Sequence, residues 1–260
     1  MSSRLIKSRE GRLLRLTLNR PEKRNALDME MGRALIDALE EANKDRSLGA
    51  ILLDAEGDTF CAGMDLAEVL EGPRGIVGVH RLLFTINKSM KKPLVAAVQG
   101  SAFGGGLGLA LNAHFVMAAS DAHFGLTEIK VGLWPYMIFH AVEAAVGLRR
   151  ATSLALTGRV MGAVEAREFG IVDEVVPPEE LSARAHALAL ELSEGSNQAQ
   201  SMGIEFVKGE RSIGVAAEFR ARAQELEDFV EGAKAFLEKR PPVWPSHTVR
   251  PYFDDEEEEV

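Results

Sequence analysis

The sequence has almost no cysteine, and this scarcity excludes one class of protein at once. Cys61 is the single thiol among 260 residues, so an intrachain disulfide framework is impossible and a reducing compartment is expected. Positive charge is also in short supply, because 30 Lys and Arg residues stand against 39 Asp and Glu residues, for a net charge of −9. This balance disfavours a general nucleic-acid partner.

Long apolar runs are missing as well. No stretch approaches the roughly 18 uncharged residues that a membrane-spanning helix needs, and the N-terminal Met-Ser-Ser-Arg-Leu-Ile-Lys lacks the apolar centre of a secretory signal. We therefore predict a cytoplasmic protein with no membrane partner. Its 46% hydrophobic and 27% charged residues are typical of a globular protein that is long enough to bury a large core.

Apolar periodicity predicts strands in the first two thirds of the chain and mainly helices in the last third. Asp28 is suited to cap the first helix, which we expect to end near Asn43. Three glycines and a proline predict a loop from Glu71 to Val79, followed by a helix that ends near Lys91. Other strands are predicted at 12–18, 50–54, 93–98, 114–119 and 171–176, and other helices at 107–113, 134–146, 179–192, 198–207, 216–230 and 232–239.

A glycine-rich stretch, Gln-Gly-Ser-Ala-Phe-Gly-Gly-Gly-Leu-Gly at 99–108, separates a predicted strand from a short helix. Its three consecutive glycines leave backbone N–H groups unobstructed at a helix start, where the helix dipole favours negative charge. The stretch therefore suits a bound negative charge. A tight turn that needs small residues for packing is the alternative.

A second stretch, Gly-Asp-Thr-Phe-Cys-Ala-Gly-Met-Asp-Leu at 57–66, repeats this arrangement after the strand at 50–54. Two such turns could aim two N–H donors at one oxygen and so form an oxyanion hole. Cys61 offers this turn a small side chain rather than a nucleophile, because no histidine is close to it in sequence.

Other glycine-loop chemistries fit the sequence less well. A dinucleotide fingerprint that starts at Gly104 needs a third glycine where Leu109 stands. A phosphate-binding P-loop needs a lysine where Gly106 stands. No serine nucleophile elbow, zinc-spaced cysteine set or His-Glu-x-x-His helix occurs.

Taken in order, the two turns resemble those of the enoyl-CoA hydratase/isomerase, or crotonase, family. The resemblance extends from the Asn-Arg-Pro-Glu-Lys-Arg-Asn-Ala-Leu segment at 19–27 to Phe-Leu-Glu-Lys-Arg at 236–240. It implies an α/β fold: a crotonase-like spiral of strand-strand-helix turns at 1–195, with a C-terminal helical trimerisation region at 196–252. Residues 253–260 are an acidic tail that we expect to be disordered. The resemblance also implies a homotrimer or a dimer of trimers.

The resemblance implies that the backbone N–H groups of Met64 and Gly105 hold the carbonyl oxygen of an acyl-CoA thioester. Because both donors belong to the backbone, the side chain of Met64 is expected to border the acyl or CoA path, or to be a plain apolar wall. Holding this oxygen stabilises the enolate that forms when the neighbouring carbon loses a proton.

The resemblance also implies a binding site for CoA. Its adenine is expected near the backbone of Ala62 and Leu66, and its phosphates near Lys23 and Arg24. For the two basic side chains, solvated surface charge is the alternative. No cofactor is implied beyond the CoA moiety of the substrate, and no metal site is expected.

Three positions in the family carry acid or base groups, and this chain fills them with Gly108, Glu128 and Tyr136. Hydratases that it resembles carry glutamate at the first two, so only the second carboxylate is present. Glu128 is thereby implied as the acid/base group, although composition alone would favour a surface residue. Tyr136 could donate a hydrogen bond or fill the acyl pocket. On the predicted helix it shares a face with His140 and Glu143, which could supply a second proton carrier, or His140 could be an ordinary half-buried histidine.

The resulting hypothesis is an acyl-CoA enzyme that forms a thioester enolate and moves protons with one glutamate. One carboxylate suffices to move a proton between two carbons, so double-bond isomerisation of an enoyl-CoA is preferred slightly over hydration. A non-catalytic oligomer that binds acyl-CoA is the third alternative.

Overall fold

The computed structural model describes residues 3–209 and 211–247. The acidic tail predicted at 253–260 lies outside these residues. Within them, no helix combines the length and the apolar character needed to cross a membrane.

Strands of the described residues form two sheets. The larger sheet has the order β1-β2-β3-β4-β6-β9, and the smaller has the order β5-β7-β8. In the larger sheet only β1 and β2 are antiparallel, and the other neighbours are parallel. The strands are β1 Leu5–Glu10, β2 Leu13–Leu18, β3 Ala50–Ala55, β4 Leu94–Val98, β5 Ser101–Phe103, β6 Phe115–Ala119, β7 His123–Gly125, β8 Val160–Gly162 and β9 Glu174–Val176.

Helices cover the sheets and form the C-terminal part of the chain. They are α1 Met29–Lys44, α2 Leu66–Glu71, α3 Pro73–Leu83, α4 Gly105–Ala110, α5 Phe139–Val146, α6 Leu148–Thr157, α7 Ala163–Phe169, α8 Leu181–Ser193, α9 Asn197–Lys208, α10 Ile213–Gln224 and α11 Glu227–Glu238. The predicted cap of α1 is confirmed, because the Asp28 carboxylate accepts a hydrogen bond from the Met31 N–H at 2.8 Å.

The chain repeats one order of elements: a strand of the larger sheet, a strand of the smaller sheet, then a helix. β4, β5 and α4 form one such unit. In the unit before it, β3 is followed by Cys61, which bridges to Ala102 of β5, and then by α2. Because β3 and β4 are parallel neighbours, the turns that follow them lie at the same edge of the sheet.

The loop predicted at 71–79 is wrong, because α2 continues to Glu71 and α3 occupies Pro73–Leu83. Its proline stands in the first turn of α3, where a missing N–H is tolerated. The buried Val79 packs against α1, where a methyl group added to Gly32 would lie 2.5 Å from Val79 Cγ1. Burial of one face thus stabilises a helix that its glycines disfavour.

Several element boundaries also differ from those predicted. The helix predicted at 107–113 begins at Gly105, and the one predicted at 134–146 begins at Phe139. The helix predicted at 216–230 is interrupted, because Leu226 has the extended φ of −71° and ψ of 140° between α10 and α11. β1 was not predicted, because all its residues after Leu5 are exposed and show no apolar alternation.

Helix α8, which packs on the larger sheet, and the C-terminal helices α9 and α10 differ in how much apolar surface they bury. α8 buries Leu181, Ala185 and Ala189 against the larger sheet, whereas α9 and α10 contain no buried residue. Ile213 and Phe236 on the C-terminal helices are exposed in the single chain. The domain boundary at residue 195 and trimerisation by the helical region stay predictions.

Candidate active site

The two glycine-containing turns are joined by backbone hydrogen bonds. We refer to residues 57–66 as the first turn and to residues 99–108 as the second turn. The N–H groups of Phe60 and Cys61 donate to the carbonyls of Gln99 and Ser101, both at 3.0 Å. In return, the Phe103 N–H donates to the Cys61 carbonyl at 3.1 Å. The turns therefore form one rigid unit at the carboxyl ends of β3 and β4.

Glycine is required where the two turns touch. Gly63 has a φ of +104°, and a methyl group added to it would lie 2.9 Å from the Phe103 carbonyl oxygen and 3.6 Å from the Gly105 nitrogen. A methyl group added to Gly106 would overlap the Cys61 carbonyl oxygen. Only residues without a side chain permit so close an approach. Burial raises the pKa of the Cys61 thiol to about 12, so this side chain is a small neutral wall.

The residues on either side of Met64 take part in backbone hydrogen bonds, and so does the residue before Gly105, Gly104, whose N–H donates to the Gly125 carbonyl at 2.9 Å. The Leu27 N–H donates to the Gly63 carbonyl at 2.8 Å, and the Asp65 N–H donates to the Leu27 carbonyl at 3.0 Å. Neither the Met64 N–H nor the Gly105 N–H donates a hydrogen bond within the described residues. Gly105 is the first residue of α4, where an N–H has no partner inside the helix. The structure thus brings the two predicted donors to adjoining turns with both hydrogens free.

Glu128 lies against the second turn. It belongs to the short 3₁₀ helix Thr127–Val131, is only 8% exposed, and its Oε1 lies 2.7 Å from where a methyl group on Gly104 would stand. Its Oε2 is buried without a hydrogen-bond partner among the described residues. Burial raises the pKa of Glu128 above its ordinary value. The carboxyl group is therefore buried from solvent beside Gly104, the glycine that precedes Gly105.

An apolar wall covers the other side of this turn. A methyl group on Gly108 would overlap Ile138 Cγ2 and lie 3.4 Å from Phe84 Cδ1, and one on Gly105 would lie 3.1 Å from Phe84 Cζ. Phe84 and Ile138 are each 2% exposed. Sequence reasoning missed both residues, because nothing local connects either of them with α4.

His80 is a second group that sequence reasoning missed. It is buried on α3, with its ring centroid 5.7 Å from that of Phe84. A hydrogen bond to the Leu27 backbone leaves its Nε2 without a partner among the described residues. Burial lowers the pKa of His80, so its ring is a neutral acceptor near neutral pH. His80 follows the loop predicted at 71–79 and falls in the helix predicted to end near Lys91, where a histidine between apolar residues could have suggested a buried side chain.

The predicted CoA-binding residues lie along the first turn. Lys23 and Arg24 are exposed, and the Ala62 N–H donates to the Arg24 carbonyl at 3.0 Å. Leu66 is exposed at the start of α2. The structure therefore joins the first turn at Ala62 to the exposed segment of Lys23 and Arg24.

Tyr136 is placed differently from the prediction. It precedes α5 and is 75% exposed, so it does not share a helical face with His140 and Glu143. His140 is exposed rather than half-buried. The single chain thus leaves Tyr136 at the surface, and its role at the site stays a prediction.

Charged side chains fix the first turn to the segment before α1. Arg20 is buried and contacts Asp65 at 2.7 Å and Asp28 at 3.4 Å. Asp65 also caps α2 by accepting hydrogen bonds from the N–H groups of Ala67 and Glu68. The residue that follows Met64 is therefore held by both a cation and a helix start.

A separate cavity of about 650 Å³ opens at the opposite edge of the larger sheet, where Gly49 and Lys92 precede β3 and β4. None of the predicted site residues lines it. Within the described residues, no group of three or more His, Cys, Asp or Glu side chains is arranged to hold a metal ion.

Comparison with known proteins connects this geometry to a family. A family model described as enoyl-CoA hydratase/isomerase matches residues 8–247. Carnitinyl-CoA dehydratase of Salmonella arizonae is 35% identical, over 95% of this chain and 100% of the relative. 2,3-Dehydroadipyl-CoA hydratase of Escherichia coli is 33% identical, over 92% of this chain and 98% of the relative.

Solved structures agree with the sequence relatives. The crystal structure of an enoyl-CoA hydratase from Mycobacterium smegmatis superimposes with a TM-score of 0.88 and 30% identity, over 95% of this chain and all of the other. The predicted α/β crotonase fold is confirmed by this likeness. The chain belongs to the enoyl-CoA hydratase/isomerase family.

Proposed function

We propose that this protein is an acyl-CoA enzyme that forms a thioester enolate and uses Glu128 as its proton carrier. The N–H groups of Met64 and Gly105 would hold the thioester oxygen as it gains negative charge. Glu128 would take the proton from the carbon beside the carbonyl. The observation that carries this proposal is the burial of the Glu128 carboxyl group next to Gly104, one residue before Gly105, which is the second donor.

Double-bond isomerisation is the reaction that this geometry supports best. Glu128 removes a proton from C2 of a 3-enoyl-CoA, and the C–H electrons form an enolate whose charge lies on the thioester oxygen. The same carboxyl group returns the proton to C4 while the double bond moves from C3–C4 to C2–C3. Atoms balance without water, and no second acid is needed.

Hydration is the second candidate, and a specific observation favours it. Two relatives are named 2,3-dehydroadipyl-CoA hydratase and carnitinyl-CoA dehydratase. Water addition needs a group that holds water, and Gly108 offers none. The Nε2 of His80, which is buried without a partner among the described residues, is a neutral nitrogen close to Phe84 that could accept a hydrogen bond from water.

We propose that CoA binds along the first turn and the segment of Lys23 and Arg24 that is joined to it. Lys23 and Arg24 would meet its phosphates, and the backbone of Ala62 and Leu66 its adenine. Support comes from their exposure and from the backbone bond that joins Ala62 to Arg24. No cofactor beyond the CoA of the substrate is proposed, and a cytoplasmic location stays a prediction.

We also keep the proposal of a homotrimer or a dimer of trimers. Its support is the apolar surface that the C-terminal helices expose in the single chain, including Ile213, Phe236 and Leu237. A mass measurement in solution tests it, and a monomer at micromolar concentration would contradict it.

The test of the function is Glu128→Gln, assayed with short, branched and long enoyl-CoA esters for bond migration and for water addition. We expect turnover to fall by at least about 100-fold, while CoA-ester binding survives because the backbone donors are intact. Glu40→Gln, which alters an exposed glutamate of α1, is the matched control. Wild-type turnover in Glu128→Gln would end the assignment, and absence of any turnover in the wild-type enzyme would favour a binding protein.

A further inference from the structure

One face of α4 borders the candidate oxyanion site. Gly105 and Gly108 are three residues apart and lie on the same side of the helix. Side chains on a helix lean towards its N-terminus. A side chain at position 108 would therefore project over the turn at Gly105, whose N–H group is the proposed donor.

Ile138 occupies the space that this side chain would use. A methyl group on Gly108 would overlap Ile138 Cγ2 and lie 2.8 Å from Ile138 Cβ. The backbone of Ile138 is fixed, because its N–H donates to the Pro135 carbonyl at 3.2 Å and its carbonyl accepts from the N–H groups of Ala141 and Val142. Its side chain is thus a rigid apolar cover on the glycine face of α4.

Phe84 continues this cover towards the donor. Its ring lies 3.1 Å from the methyl position of Gly105 and 3.4 Å from that of Gly108. Both wall residues are almost fully buried. A water molecule needs two or more polar partners to be held in a buried site, and neither Phe84 nor Ile138 provides one, which leaves the Nε2 of His80 as a single partner nearby.

We propose that Ile138 decides the balance between proton transfer and water addition, by keeping water away from the side of the substrate that faces α4. The inference rests on the proposed function and names the residue that selects between its two reactions. Hydration forms a bond from the water oxygen to C3 while the C2–C3 π electrons form an enolate whose charge lies on the thioester oxygen and a base takes one water proton. That proton is then delivered from the base to C2 as the enolate electrons form the C2–H bond and the thioester carbonyl is restored. The side chain of Ile138 occupies the space from which the water oxygen would approach C3.

Ile138 also explains why a carboxylate at position 108 cannot be tested alone. Gly108→Glu would drive its side chain into Ile138, so a loss of all activity in that variant would report only a clash. In Gly108→Glu/Ile138→Ala the overlap with Ile138 Cγ2 is removed, and only the contact between the two Cβ positions, 2.8 Å apart before any movement, has to be relieved by a small shift of the backbone. We expect hydration to rise more in this double variant than in either single variant.

The experiment compares the wild-type enzyme with Ile138→Ala and with the double variant. Two rates are measured for each: water addition to a 2-enoyl-CoA, and exchange of the C2 protons of a saturated acyl-CoA in D₂O, followed by NMR. Exchange reports enolate formation by Glu128 without any hydration. We expect the ratio of hydration to exchange to rise by about tenfold in Ile138→Ala and further in the double variant.

The outcomes separate this inference from the proposed function. If the wild-type enzyme shows no exchange, the proposed function fails. If exchange occurs and the ratio is unchanged in both variants, the role of Ile138 is overturned. Ile36→Ala, which shortens a buried isoleucine of α1, is the control and is expected to leave the ratio of hydration to exchange unchanged. An equal rise of the ratio in this control would also overturn the role of Ile138.

A second substitution covers the case in which Ile138→Ala does not fold. Ile138→Thr keeps a branched side chain and places a hydroxyl group in the wall, where it can hold water. Its thermal transition shows that it is folded. The ratio of hydration to exchange is expected to rise, and an unchanged ratio in this folded variant would overturn the inference.

Discussion

The two turns that carry the candidate donors lie side by side, yet they are held in different ways. In the first turn, the side chain of the buried Asn25 accepts a hydrogen bond from the Arg20 N–H and donates to the carbonyls of Glu56 and Thr59. The pair between Arg20 and Asp65 adds a charged contact. This turn is thus fixed by side chains that reach it from another segment.

The second turn is fixed by close backbone packing. A methyl group on Gly100 would overlap the Asp58 carbonyl oxygen, and one on Gly106 would overlap that of Cys61. Its glycines therefore act by having no side chain, whereas the first turn combines one such glycine, Gly63, with side chains that hold it from another segment. The comparison teaches that the candidate oxyanion site joins a turn that is packed closely through its glycines to a turn that is held mainly by hydrogen bonds from distant side chains.

Adding a methyl group to the second turn is expected to have the largest effect. In Gly106→Ala the new Cβ meets the Cys61 carbonyl, so the two turns have to separate. Overpacking of this kind costs about 1–3 kcal/mol of unfolding free energy, and a displacement near 1 Å lowers turnover by roughly 100-fold. Kinetics and chemical denaturation measure both.

Gly203→Ala on α9 is the control, because a methyl group there has no atom within 4 Å. It should leave turnover unchanged. A Gly106→Ala enzyme with wild-type turnover would show that the turns need not touch.

Removing a side chain that holds the first turn from outside is expected to have the next largest effect. Asn25→Ala leaves the buried Arg20 N–H and the carbonyls of Glu56 and Thr59 without partners, so unfolding free energy should fall by roughly 2–4 kcal/mol. Asn25 also has a φ of +51°, and Lys239→Ala controls for this conformation because exposed Lys239 has a φ of 55°. Equal losses in the two variants would mean that the hydrogen bonds contribute nothing.

A smaller effect should come from the carboxyl group beside the second turn. Burial raises the pKa of Glu128 above 4.5, so the native state keeps this proton longer than the unfolded chain. Wild-type stability therefore falls as pH rises from 4.5 through the raised native pKa. Glu128→Gln removes this loss, so its Tm should exceed that of the wild type increasingly across this range.

Thermal melts at several pH values measure the difference. It should be small at pH 4 and constant well above the native pKa. A difference that shrinks as pH rises would show that the ionised carboxylate is stabilised in the fold.

The smallest effect is expected at Met64, whose N–H group is the candidate donor of the first turn. Met64→Leu keeps the backbone N–H and nearly the same side-chain volume, so turnover should stay within about threefold and stability within about 1.5 kcal/mol. Steady-state kinetics over several acyl lengths provides the test. A loss of about 100-fold would show that the thioether itself takes part in the reaction.

Local sequence patterns identified the two turns and the elements that lead into them. The capped helix after Asp28 and the apolar strands before each turn were predictable, because capping and burial periodicity depend on neighbouring residues. α3 was not predictable in this way. Its glycines disfavour a helix locally, and only packing of Val79 against α1 outweighs them.

The sequence by itself determined the family and the glycine-containing backbone around Met64 and Gly105, because backbone donors need only a particular chain conformation. Tertiary structure decided the environment of those donors: it buried Glu128, placed Ile138 over Gly108 and left Tyr136 exposed. The physical reason is that burial and pKa depend on atoms brought from distant segments, and no local pattern records which segments these will be.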